Sequence, residues 1–67
     1  WQEFRIAMGA YVAEQGTANV PFNYIDSNGL KLGVAVMNVR KQGIYLKNKP
    51  DEGERRTWLE SLPDWRW

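Results

Sequence analysis

Gly29-Leu30-Lys31-Leu32-Gly33-Val34-Ala35-Val36-Met37-Asn38-Val39-Arg40-Lys41-Gln42-Gly43 is the stretch on which the fold turns. Two periodicities run through it. Leu30, Leu32, Val34 and Val36 alternate as in a half-buried strand, and Asn28-Gly29 just before them is a hairpin-turn dipeptide. Val20, Phe22 and Tyr24 also alternate, so a hairpin from Phe22 to Val36 is one reading. Leu32, Val36, Val39 and Gly43 recur instead at helical spacing, with Ala35 on the same face. Asn38, Arg40, Lys41 and Gln42 then gather late, and cations near a helix C-terminus complement its dipole. Periodicity alone leaves both readings open.

The flanks are plainer. Trp1, Phe4, Met8, Tyr11 and Gln15 lie three and four residues apart, which predicts a helix over about 1–15, capped by Gly16 in the left-handed region. Gly9 inside it costs about 1 kcal/mol relative to Ala and marks either a close approach or a neutral exposed position. Thr17 to Gly29 reads as a loop: Pro21 forces Val20 towards extended backbone, and Asp26-Ser27-Asn28-Gly29 is turn-rich. Gly43 to Lys49 is a basic connector that holds Ile44, Tyr45 and Leu46. Pro50 suits the first position of a last helix, over about 51–62. Asp51, Glu52 and Glu54 fall in its first turn, where negative charge is favoured. Trp58, Leu59 and Leu62 form its apolar face, Pro63 stops it, and Trp65 and Trp67 follow in an extended tail.

The chain of 67 residues makes one domain, 1–67, and a domain this small must build an economical core. Four Trp, three Tyr and two Phe meet that need, since each aromatic buries roughly 150–250 Å². The expected core is Trp1, Phe4, Met8, Tyr11, Leu32, Val36, Val39, Trp58, Leu59, Leu62 and Trp65. With neither Cys nor His, disulfides, a structural zinc site and Cys–His or Ser–His–Asp catalysis are ruled out. The absence of Cys fits a reducing compartment, so the cytoplasm is the expected location. No apolar run approaches the ~18 residues of a membrane span, and no signal peptide is visible. The missing initiator Met suggests an excised fragment.

The net charge of +1 conceals a pattern. Lys31, Arg40, Lys41, Lys47 and Lys49 occupy the middle third without a single acid, between two mildly acidic thirds.

Taken in order, several features resemble one unit of the helicase-associated domain, which repeats in tandem along large, mainly bacterial proteins. They are Trp1, Tyr11 and Gly16; Asn19-Val20-Pro21; Leu32-Gly33 and Arg40; and the closing Leu62-Pro63-Asp64-Trp65-Arg66-Trp67. The likeness covers nearly the whole chain. It departs at Ala35, where that family usually has Trp, at Val39, where it usually has Gln, and across Gly43 to Lys49. The resemblance implies an all-α, three-helix domain with an extended loop between helices 1 and 2. It therefore tips the middle stretch to a helix over about 30–42. It also implies nucleic-acid binding in the company of a helicase core and neighbouring repeats, an assignment that rests on association.

The residues offer one candidate chemistry of their own. Lys31, Arg40, Lys41, Lys47 and Lys49 can attract phosphates, and Tyr45 among them can stack on a base. The same cations also suit a solvated face of the domain. Arg40 has a second role open to it, a bidentate pair with Asp26 or Glu60 that locks two helices. Trp67 can pack on a neighbouring repeat or stand partly exposed. No nucleophile–base pair or metal set can be assembled, so the expectation is a non-catalytic, cofactor-free module, monomeric in isolation. Its partner is then DNA or RNA. The alternative is a protein-interaction or spacer repeat.

Overall fold

The computed structural model describes residues 1–67 and contains three helices: α1 (Gln2–Gln15), α2 (Leu32–Gln42) and α3 (Glu52–Glu60). There is no strand, so the hairpin reading gives way to helix. Burial supplies the reason. As a helix, the middle segment sends Leu32, Val36 and Val39 together into the core, each almost fully buried. An alternating strand would have put Val39 out of phase with Leu32 and Val36.

Around those three pack Phe4, Ala7, Met8 and Tyr11 of α1, Leu59 of α3, and Ala18, Val20 and Leu46 from the loops. Trp1, Trp58, Leu62 and Trp65, expected within the core, are only partly buried and close over it from outside. An indole is too large to vanish inside a domain of this size. Each indole instead carries a guanidinium about 5 Å from its ring centre: Arg55 over Trp1 (4.9 Å), and Arg5 over Trp58, Arg40 over Trp65 and Arg56 over Trp67 (5.0 Å each). Such contacts contribute about 0.5–1 kcal/mol when exposed and ~2 kcal/mol when desolvated.

The helix ends follow local rules with small shifts. α1 stops at Gly16 (φ 73°), whose N–H donates to the Val12 carbonyl, and α2 stops at Gly43 (φ 68°) in the same way, on Val39. α2 begins at Leu32, two residues later than expected. Asp26 Oδ1 accepts from the Asn28 and Leu30 amides, and the Asp26 amide donates to the Leu30 carbonyl. The Asn28-Gly29 turn is thus held by an aspartate and leads into a helix, not back along a strand. Pro50 stands just before α3, not at its first position; Asp51 occupies the N-cap, and the helix ends at Glu60.

The loop between α1 and α2 crosses tightly over α2. A Cβ on Gly33 would lie 2.0 Å from the Pro21 carbonyl oxygen and 2.3 Å from that of Phe22. Gly33 also donates its N–H to the Tyr24 carbonyl at 3.2 Å. Gly33 is therefore the glycine of close approach, whereas Gly9 faces open space. A turn that closes from the Tyr24 amide to the Pro21 carbonyl at 3.0 Å breaks the alternation of this loop. Val20 goes in, Phe22 goes out, and Tyr24 meets Tyr11 edge-on at 4.9 Å.

Candidate nucleic-acid interface

The last turn of α2 carries Arg40 and Lys41, and the C-terminal tail is brought against it by three contacts. The Ala18 amide donates to the Pro63 carbonyl at 2.7 Å, and Thr17 Oγ1 donates to Asp64 Oδ2 at 2.7 Å. The Trp65 amide closes a turn on the Leu62 carbonyl at 3.2 Å. Asp64 takes φ 65°, a left-handed value that short polar side chains tolerate, and this redirects the chain so that Trp65 lies under Arg40.

Arg40 has no carboxylate partner. Both carboxylates that its second role invoked are engaged elsewhere: Asp26 holds its own turn, and Glu60 Oε2 accepts from Trp67 Nε1 at 2.8 Å. The Nε and Nη2 of Arg40 are buried without a hydrogen-bond partner, against the Trp65 ring. Desolvation, and secondarily the charge of Arg66, lowers the pKa of Arg40 from its ordinary value. Two guanidinium groups thus share this corner with no ion pair between either and an acid.

Beside Arg40 runs a shallow groove of about 270 Å³. Buried Val20, Gly33 and Val36 form its floor, and no carboxylate lines it. Lys41 is exposed at its edge, together with Phe22 and Trp67, which are 61% and 47% exposed. Trp67 is held in place: Arg56 lies over its ring, Trp65 meets it edge-on at 5.2 Å, and its Nε1–H is bonded to Glu60. Trp67 thus stands partly exposed, one of the two arrangements open to it from the sequence, and is held by three contacts.

The remaining sequence candidates are dispersed. Lys31 sits at the N-cap of α2, roughly 13 Å along the helix axis from Arg40 at 1.5 Å per residue. Lys47 lays its stem along Gly43, where a Cβ would meet Lys47 Cγ at 3.1 Å, and Lys49 is exposed further along the connector. Tyr45 is turned inwards. Its ring stacks on Phe4 at 5.5 Å and 27°, and its carbonyl accepts from Arg55 Nη1 at 2.8 Å. Tyr45 pays for this with φ 72°, a strain of about 1–2 kcal/mol for a side chain with a Cβ. Its ring is partly buried against the core and is engaged with Phe4 and Trp1. The groove also recruits two residues outside the basic segment, Phe22 and Trp67, while Arg66 stands beyond its lining, near Arg40. In the sequence Phe22 figured only in the alternation beside Pro21, and Arg66 only as the Arg between the two terminal Trp residues.

No group of three or more His, Cys, Asp or Glu side chains comes together to hold a metal ion. Two of the three acids opening α3 are paired one turn on: Asp51 Oδ1 lies 3.0 Å from Arg55 Nε, and Glu52 Oε2 accepts from Arg56 Nε at 2.9 Å. The Arg55 N–H points off the line to Asp51, so that contact is more Coulombic than a directed hydrogen bond. No helix is long and apolar enough to cross a membrane.

The geometry defines a small three-helix, all-α domain with a basic, aromatic-edged groove. No family model, curated protein or solved structure matches the chain.

Proposed function

We propose that this domain is a non-catalytic accessory module that binds nucleic acid weakly through the groove beside α2. This agrees with the resemblance to a helicase-associated repeat. The observation that carries the reading is the grouping of Arg40 and Lys41 with exposed Phe22 and Trp67 along a groove that no carboxylate lines, with the charge of Arg66 felt at Arg40 from outside it. Unpaired cations attract phosphates and release counterions, while exposed aromatics accept bases. A single unit with so few cations binds weakly, and several in one chain gain by effective concentration.

The test is a titration of labelled DNA and RNA at low and near-physiological salt. Three neutralised phosphates on a single strand give a log–log salt slope of roughly −2. Lys41→Glu and Arg66→Glu, both at exposed positions, should weaken binding and leave the fold intact. Saturable binding that ignores both reversals would exclude this face.

A second reading, a protein-interaction repeat, is favoured by a different surface. Ile6 is 69% exposed beside a groove between α1 and residues 24–30 that is edged by Glu3, Glu14 and Asp26. If that surface is the functional one, Ile6→Asp disrupts association with a partner domain and the Lys41 and Arg66 reversals do not.

A further inference from the structure

Phe22 differs from every other aromatic residue in the chain. Each Trp and Tyr, and Phe4, makes a ring–ring or guanidinium contact within the domain. Phe22 makes neither and is 61% exposed. Its backbone is nevertheless anchored. The carbonyls of Pro21 and Phe22 rest on Gly33, and the Tyr24 amide closes the turn on Pro21 at 3.0 Å. A large apolar ring is thus held out in water at the edge of a groove whose floor is apolar and whose other edge carries Lys41 and fixed Trp67.

Resting on the nucleic-acid reading above, we infer that Phe22 is a stacking platform for one base of a single-stranded nucleic acid, with the adjoining phosphate on Lys41 and Arg40. A duplex cannot satisfy this arrangement, because its bases hide their faces in the stack. A single strand can turn one base onto the Phe22 ring, and stacking of this kind tolerates any base because every base has a π-face. The anchored backbone beneath the ring limits the ordering cost of binding. Arg40 Nε and Nη2 are buried without a partner and Nη1 is not, which leaves the Nη1 amino group to donate to a phosphate oxygen.

The experiment compares a labelled oligothymidylate with a duplex of the same length, by fluorescence anisotropy at low salt. It uses the wild-type domain, Phe22→Leu, Phe22→Trp and Lys41→Glu. Leu keeps the apolar bulk and removes the π-face, whereas Trp restores it. The expected result is tighter binding of the single strand, weakened roughly 5-fold or more by Phe22→Leu, towards the low end of the range for complete loss of a stacking ring, and recovered by Phe22→Trp. NMR on the wild-type domain provides a readout that needs no variant: Phe22 ring protons should move upfield as the oligothymidylate is added. Binding that Lys41→Glu weakens but Phe22→Leu does not, or unchanged ring shifts, would overturn the stacking role and leave the basic groove standing. Preference for the duplex would do the same. No binding of either nucleic acid would overturn both.

Discussion

Arg40 lies over Trp65, its guanidinium carbon 5.0 Å from the ring centre, and two of its nitrogens are sealed from water without a hydrogen bond. This contact joins α2 to the C-terminal tail, so Arg40 is part of the packing before it is part of any binding site. Its long stem and planar head act here as much through shape as through charge.

Replacing Arg40 should therefore cost stability. Arg40→Lys keeps the charge and loses the stacked plane, with an expected loss of about 0.5–2 kcal/mol. Arg40→Glu sets a carboxylate against the ring and should cost about 1–3 kcal/mol. Thermal unfolding followed by circular dichroism measures both, at roughly 4–8 °C per kcal/mol for a domain of this size. An unchanged midpoint in Arg40→Glu would show that the stacked contact contributes nothing.

Gly33 and Gly9 should respond in opposite directions to the same change. A Cβ at Gly33 meets the Pro21 carbonyl at 2.0 Å, so Gly33→Ala forces the loop off α2. The expected loss is at least about 1–3 kcal/mol, the usual cost of overpacking. Gly9 lies within α1 with nothing near its Cβ position, and Gly9→Ala should stabilise by about 0.5–1 kcal/mol. Denaturant midpoints of the two variants test the pair, and a neutral Gly33→Ala would contradict the close crossing.

Tyr45→Ala separates packing from recognition. It removes the ring that stacks on Phe4 and lies 6.2 Å from Trp1, and should destabilise by about 2–4 kcal/mol. Below its lowered unfolding temperature, the variant should bind nucleic acid as the wild type does. Weaker binding by a demonstrably folded Tyr45→Ala domain would return this residue to the interface.

Asp51 provides a pH signature. The Arg55 side chain beside it holds its carboxyl below the ordinary carboxylate range, against a smaller desolvation effect that acts upwards. A carboxyl whose folded pKa is depressed contributes stability that is present above its unfolded pKa and lost as pH falls through the folded value. The wild-type domain should therefore lose stability on acidification below the ordinary aspartate range more steeply than Asp51→Asn. Melting curves between neutral pH and strong acid check the difference, and parallel profiles would show the pairing to be inert.

Much of the architecture is legible in the sequence. α1 and its Gly16 cap follow from apolar spacing and a terminal Gly, and α3 from acids at its start and Pro63 beyond its end. Such signals are local: a cap or a dipole involves residues within one turn of each other. The middle segment was legible only as a choice between two periods, because Leu32 and Val36 satisfy both. The family resemblance favoured helix, and in the structure burial of Val39 beside them marks the outcome.

The site was far less legible, again for a physical reason. The sequence placed five cations in one segment, but a helix separates Lys31 from Arg40, and a left-handed connector turns Tyr45 inwards. Sequence proximity does not determine which side chains share a surface. The groove beside α2 joins Phe22, Arg40 and Trp67, three residues far apart in the chain, and Arg66 stands near Arg40 for the same reason. Their meeting depends on Gly33 admitting one loop and on Thr17 and Ala18 anchoring the tail. By itself the sequence determined α1, α3 and the Gly16 cap, since these depend on near neighbours. The tertiary structure alone decided which aromatics became walls and which stayed free, since that depends on contacts between distant parts of the chain.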